Sequence, residues 1–199
     1  MVLTLGGLLL VYLVGALPIG YVIGRIAGLD IRKQGSGNIG ATNVLRTLGK
    51  GPAAITLLLD AAKGYAAVWI ALALGPEPWW GSLGAVVAVV GNCWPVFLAF
   101  RGGKGMATAL GAFLHLIPWA VPPALLVWVV VAFTFRYVSL ASLSAAACLP
   151  VGAALLRYHR SAAAAAVIVG LIILLRHRDN AARLLAGTER KLGHPVSVS

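Results

Sequence analysis

The sequence predicts an all-α polytopic membrane protein of seven transmembrane helices, with glycine-rich cytoplasmic loops and a short helix in the first loop. Three observations lead there. Of the 199 residues, 60% are hydrophobic and only 11% charged, against about 25% charged in a soluble domain. The apolar residues run in blocks rather than one-sided helical stripes, and a spanning helix needs about 20 of them in succession. Finally, the basic residues gather between the blocks in a one-sided pattern.

The spans are expected at about 3–27, 53–74, 81–100, 106–117, 119–135, 140–156 and 162–175, with a cytoplasmic tail over 176–199. Pro52 suits the first turn of the second span. Pro118, Pro122 and Pro123 divide the long apolar stretch after Met106, because proline removes a backbone donor and breaks helices. The 12-residue fourth span is about 18 Å long at 1.5 Å per residue, well short of the ~30 Å hydrocarbon core. It works if the preceding loop dips into the protein. No internal repeat, low-complexity segment or separate soluble domain is visible. The N-terminus has no basic region before its apolar run and reads as a retained span, not a cleaved signal peptide.

With the N-terminus outside, Arg25, Arg32, Lys33, Arg46, Lys50, Arg101, Lys104, Arg136, Arg176, Arg178, Arg183, Arg190 and Lys191 all fall inside. Only Arg157 and Arg160 fall outside, a violation of the positive-inside rule without an explanation in the sequence. Trp79, Trp80 and Trp119 then belong to the outer aromatic belt. The net charge of +11 is thereby explained by topology. No basic patch is interleaved with aromatics for base stacking, so a nucleic-acid partner is not indicated. Cys93 and Cys148 lie inside apolar blocks and suggest neither a disulfide framework nor a metal site.

The loop "GSGNIG" at 35–40 has the G-x-G-x-x-G spacing of a dinucleotide fingerprint. That fingerprint acts only after a strand in a βαβ unit, and here a span precedes the loop. "RGGKGMAT" is not a P-loop either: Leu98 and Gly105 hold the places of the required Gly and Ser/Thr. The underlying physics remains. Glycines let backbone N–H groups crowd an anion, and a helix start adds free donors and a positive dipole. "ATNVLRTLGKGP" reads as a short helix stopped by Gly49, on which Thr42 or Asn43 shares a face with Arg46. Ser36, Gly37, Asn38, Gly40, Thr42, Asn43 and Arg46 therefore suit a phosphate. Gly102, Gly103, Lys104 and Gly105 repeat the design with a lysine at a helix start.

A third segment, "RHRDNAARLLAGTERKLG", spaces His177, Asn180 and Arg183 three apart, on one helix face. A glycine-rich loop is also the form of a plain tight connection, and basic loop residues also enforce topology. Two such loops on one membrane face, with polar companions, favour an anion site. His177 would need no function as a lone interfacial residue; beside Arg176, Arg178 and Asn180 it becomes a candidate. His115, His159 and His194 have no such company. Asp60 and Lys63, three apart inside a span, are read as a mutually neutralising structural ion pair. Asn92, before Pro95, is read as structural, bonding backbone groups freed by the proline.

"GSGNIGATN", "FRGGKGMAT" and "GTERKLG", in that order, resemble the motifs of bacterial membrane glycerol-3-phosphate acyltransferases that use acyl phosphate as donor. "LDAAKG" at 59–64 and "HRDNAARLLAG" at 177–187 are similar too, so the resemblance covers about residues 17–193. Many members of that family carry His at the position of Asn92. The resemblance implies one integral membrane domain over 1–199 in the plasma (inner) membrane, N-terminus outside, with its site on the cytoplasmic side. It implies attack of the 1-hydroxyl of glycerol 3-phosphate on an acyl phosphate, giving lysophosphatidic acid and phosphate. It implies no cofactor, no metal and no protein partner beyond the bilayer. Soluble-donor glycerolipid acyltransferases carry H-x-x-x-x-D, and no His here has Asp at that spacing.

On that basis glycerol 3-phosphate is expected at the second loop with Lys104 central. The donor phosphate is expected by Ser36, Asn38, Thr42, Asn43 and Arg46, with a hydroxyl from Ser142. His177 and Asn180 would orient the reacting groups, and Glu189 would tie down the tail. The proton would go to His177 or, as favoured here, to a donor phosphate oxygen. The rival reading is a transporter of anionic solutes, which also aims broken-helix N-termini at anions; seven spans without two matching halves speak against it.

Overall fold

The structure, a computed structural model, describes residues 2–193. Residues 194–199, His194 among them, lie outside the described part, as does the end of the expected tail. Ten α-helices follow in order among the described residues: α1 Val2–Ala16, α2 Ile19–Ile26, α3 Ala41–Leu48, α4 Lys50–Leu72, α5 Trp79–Cys93, α6 Met106–Leu116, α7 Val121–Phe135, α8 Val138–Leu155, α9 Arg160–Arg176 and α10 Arg178–Leu185. Four segments are long and apolar enough to cross a membrane: Lys50–Leu72, Trp79–Leu98, Pro118–Phe135 and Val138–Leu155. Counting each of two bent pairs as one span raises this to six. The chain is an all-helical polytopic membrane protein.

Two expected spans are interrupted, while the ends of the others shift by only a few residues. The first is not continuous over 3–27. It breaks at Leu17–Pro18, and the α1 and α2 axes differ by 44°. Pro18 has no N–H to continue the ladder. The third stops as a helix at Cys93 instead of running to Phe100. Pro95 is extended, a 3-10 turn covers Val96–Leu98, and Ala99 and Phe100 take positive φ of 49° and 62°. The division at Pro118 occurs as expected, and Pro122 sits harmlessly in the first turn of α7. The short first-loop helix ends at Gly49, whose φ of 87° suits a residue without Cβ. Beyond α9 the chain turns by 62° into α10.

Helix α4 is central and touches α1, α2, α3, α5 and α6. Its approach to α6 is set by Gly64 and Gly111: a Cβ on either would overlap the main chain of Thr108 or Ala61. Small residues at such crossings let backbones meet, which is how membrane helices gain packing energy without a hydrophobic driving force. Ala67, Ala85, Ala88 and Ala112 are fully buried in the same region. Large apolar side chains such as Leu58, Trp69, Leu126, Phe133 and Leu171 face outward, as lipid requires. Trp79 and Trp119 are exposed as an aromatic belt needs, but Trp80 is buried. It stacks on Trp79 at 4.1 Å and fills the space over Gly75. The close crossing of α4 and α6 brings the start of α6 beside the first half of α4, on the end of the bundle where α5 stops and α9 turns.

Candidate active site

At that end, Lys104 stands between the loop and α6. Its ammonium donates to Asn180 Oδ1 on α10. Asn180 Nδ2 donates to Glu189 Oε1 at 2.6 Å. The amide orientation follows from chemistry: only its oxygen can face an ammonium and only its NH₂ a carboxylate. Ser139 Oγ donates to the same Glu189 oxygen at 2.8 Å, and Arg183 Nε donates to Oε2 at 2.8 Å. The tail is thus folded back over α10 and the start of α8. Leu192 and Arg136 extend the strap, with Leu192 N donating to Arg136 O at 2.6 Å and Arg136 Nη2 to Leu192 O at 2.9 Å.

Burial lowers the pKa of Lys104 from 10.5 to about 8; Glu189 opposes the shift, while Arg183 and Arg46 add to it. Burial likewise lowers Arg46, with Arg190 and Arg183 repelling it and Glu189 attracting it. These mutual influences place Arg46, Lys104, Arg183, Glu189 and Arg190 within one electrostatic neighbourhood. Burial pushes the Glu189 carboxyl up, but hydrogen bonds from Asn180, Ser139 and Arg183 outweigh it and hold it below the ordinary range. His177 is buried at the α9–α10 corner. Ile173 O can only accept, so Nδ1 carries the proton in their 2.8 Å bond and Nε2 keeps its lone pair. Burial, then the Lys104 charge, push its pKa down to about 4. The ring is neutral at neutral pH.

The loops are built differently from expectation. Gly102 and Gly103 do not offer their N–H groups to an anion. Those groups donate to Cys93 O at 3.3 Å and Asn92 O at 2.9 Å, capping the last carbonyls of α5. Gly37 N–H goes to Gln34 O at 2.9 Å, and Gly40 N–H to Asn38 Oδ1 at 2.8 Å. Asn43 is also committed: its NH₂ donates to Ile31 O at 3.1 Å and Gln34 O at 3.0 Å, and its oxygen accepts from Ser36 N at 2.8 Å. It shapes the first loop and has no donor left for a ligand. Among the described residues of the two loops, N–H groups without an acceptor are those of Gly35, Asn38 and Ile39 with Ala41 and Thr42 opening α3, and of Lys104 with Gly105, Met106, Ala107 and Thr108 opening α6. The glycines place two helix starts, and these starts with the loop residues before them supply the free donors.

Ser36 is exposed, and Asn38 and Thr42 are half-buried; none bonds to the second or third segment among the described residues. Ser142 is buried and accepts from Trp128 Nε1 at 3.3 Å, which leaves its own proton to donate. Asp60 and Lys63 do pair, at 2.7 Å, though the oxygen lies off the N–H direction. Sequence reasoning missed two residues, Arg176 and Ser139, and read Lys63 only as the partner of Asp60. Arg176 grips Gly103 O at 3.1 Å and Gly102 O at 3.0 Å and lies over the Trp94 ring. Ser139, rather than Ser142, reaches Glu189. Lys63 has more partners than Asp60. The place of Lys63 as a charge inside a span and the "LDAAKG" motif both pointed to it. A cavity of about 270 Å³ lined by Leu72, His115, Tyr158 and Ser161 lies at the opposite helix ends, away from these residues.

With this geometry, the comparisons with known proteins are specific. The family model for glycerol-3-phosphate acyltransferase matches residues 5–187. A curated glycerol-3-phosphate acyltransferase of Rubrobacter xylanophilus is 47% identical, covering 93% of each chain. One from Bordetella pertussis is 46% identical over 94% of this chain and 90% of that one. A crystal structure of PlsY (YgiH), an integral membrane glycerol 3-phosphate acyltransferase, in its glycerol 3-phosphate form superposes with a TM-score of 0.91. It is 38% identical over 96% of both chains. The lysophosphatidic acid form of that enzyme gives 0.89 at 37% identity, over 96% of this chain and 95% of that one. This chain belongs to the glycerol-3-phosphate acyltransferase family of integral membrane enzymes.

Proposed function

We propose that this enzyme transfers a fatty acyl group from acyl phosphate to the 1-hydroxyl of glycerol 3-phosphate, releasing phosphate and forming lysophosphatidic acid. The observation that carries this reading is the gathering of Arg46, Lys104 and two open helix starts at one end of the bundle. Both substrates are phosphate anions. Their repulsion is the main obstacle to reaction, and fixed cations and dipoles remove it. Glycerol 3-phosphate sits by Lys104 and the start of α6. The donor phosphate sits by Ser36, Asn38, Thr42 and Arg46 at the start of α3, with Ser142 offering its hydroxyl proton. Asn180 holds the Lys104 ammonium in place, and Glu189 in turn holds Asn180.

The 1-hydroxyl oxygen attacks the acyl carbon, the C–O bond to phosphate breaks, and phosphate leaves with that bond's electron pair. The hydroxyl proton goes to a donor phosphate oxygen. A His177 with its pKa near 4 is a weak base, which supports this route. Its Nε2 orients a reacting group by accepting a hydrogen bond. Among the described residues no base is hydrogen-bonded to Ser36 to activate it, which favours direct attack over a nucleophile of the protein.

In this reading the chain is one domain of seven crossings in the plasma membrane, with Met106–Leu116 as the short one. The N-terminus is outside, and the site and tail are cytoplasmic, as the basic residues dictate. Product formation in detergent tests the assignment, since no sealed compartment exists there. Lysophosphatidic acid and phosphate are expected in equal amounts. Activity confined to sealed vesicles, as movement of an anion without product, would establish the transporter instead.

A further inference from the structure

We infer that Lys63 is the common anchor of both phosphate-binding loops, a positioning residue for the acyl transfer and not merely half of an ion pair. The inference rests on the acyl-transfer reading for its kinetic consequences, while its structural part stands on contacts alone.

Lys63 is buried on α4, well inside the bundle. Its ammonium has two hydrogen-bond acceptors, from the α1–α2 break and from α5, and one ion-pair partner on its own helix. Asp60 Oδ1 on its own helix lies at 2.7 Å. Leu17 O, at the break between α1 and α2, accepts at 2.6 Å. Asn92 Oδ1, in the last turn of α5, accepts at 2.9 Å. The placement has an electrostatic reason. The C-terminal ends of α1 and α5 both point at Lys63, and each carries partial negative charge on carbonyls that have no partner in their own helix. In a membrane interior such carbonyls must be satisfied by protein. Lys63 satisfies the Leu17 carbonyl at the end of α1 directly and reaches the end of α5 through the Asn92 side chain, while Gly102 and Gly103 cap the α5 carbonyls themselves; Asp60 keeps the cluster neutral. Neutralising Lys63 alone would need only Asp60; the other two contacts are what the loops depend on.

From Leu17 the chain enters α2. Gly20 of α2 lies directly on Ile39 O of the first loop, so tightly that a Cβ would overlap it. The direction of α2, fixed at the break, therefore fixes the loop that opens α3. From Asn92 the path is shorter. Asn92 O accepts from Gly103 N at 2.9 Å, and a Cβ on Gly103 would come within 2.9 Å of the Asn92 amide nitrogen that Lys63 helps to orient. Arg176 holds the far side of Gly102 and Gly103. Lys104 follows at once. One ammonium thus sets the register of both helix starts, and with them the separation of the two phosphates.

The test compares Lys63→Met, Lys63→Arg and Asn92→Ala, purified in detergent and scored per folded molecule. Lys63→Met is expected to expose Gly102 and Gly103, with hydrogen exchange at those amides at least tenfold faster. It is expected to raise KM for both substrates and lower kcat at least tenfold, with the pH midpoint of KM for glycerol 3-phosphate displaced from that of the wild type. Lys63→Arg, which keeps the charge, should recover part of each. Asn92→Ala cuts only the second-loop branch, and keeps the proposal testable if Lys63→Met does not fold. It should speed the same exchange and raise KM for glycerol 3-phosphate more than for acyl phosphate. A folded Lys63→Met or Asn92→Ala protein with wild-type exchange, KM and pH midpoint would overturn the proposal. Fast exchange in Lys63→Met, with a wild-type protein that makes no lysophosphatidic acid, would leave the anchor standing and sink the acyl-transfer reading.

Discussion

At Lys104 the protein spends burial to sharpen a charge. With its pKa near 8, the ammonium is present at neutral pH and lost as pH rises through that value. kcat/KM for glycerol 3-phosphate should therefore fall above about pH 8, since that ratio reports the free enzyme. Lys104→Met should abolish the alkaline limb and cost about 10²-fold or more, the scale of truncating one member of a buried charged pair. The acidic side separates the two proton acceptors. His177 titrates near 4, whereas a phosphate monoester takes its second proton at about 6. A limb near 6 in kcat that survives His177→Ala is the expected result. A limb near 4 that vanishes in that variant would make His177 the base. The identities of Lys104, Asn180 and Glu189 were legible from spacing and motif. The commitments of Asn43, Gly102 and Gly103 were not, because a glycine or amide next to an anion site reads the same whether its donors face the ligand or the fold.

Elements divide along similar lines. Blocks of apolar residues revealed an all-helical chain with four to six of the seven expected spans, and Gly49 and Pro118 marked true ends. The break at Leu17–Pro18 stayed hidden, since proline inside an apolar run is common in membrane helices that do not break. The clamp from Arg176 to Gly103 was equally invisible: 73 residues separate them, and nothing local encodes the pairing. The tail is the element most open to test. Glu189 accepts from Ser139, Asn180 and Arg183. The Arg183 contact is partly solvated and contributes little; the two part-buried bonds from Ser139 and Asn180 to the charged acceptor contribute at most about 1.5–3 kcal/mol each, reduced by solvent screening. Glu189→Gln should free Asn180 and lower kcat about tenfold or more. Limited proteolysis should then cut between Gly187 and Gly193 faster than in the wild type. Unchanged cleavage with unchanged kcat would show that the strap does not hold the site.

For the whole molecule, the claim is that one membrane face gathers the charge that two anions need. Cysteines placed singly on a background without Cys93 and Cys148 test the orientation. At Glu77 a cysteine should react with an impermeant reagent in intact cells, and at Lys50 only after permeabilisation; both positions are exposed. The reverse pattern would put the site outside. The central claim is acyl transfer from acyl phosphate, and the donor comparison on purified protein tests it most directly. Palmitoyl phosphate should acylate glycerol 3-phosphate to lysophosphatidic acid, while palmitoyl-CoA and palmitoyl-acyl carrier protein give none. Efficient use of either thioester would contradict it.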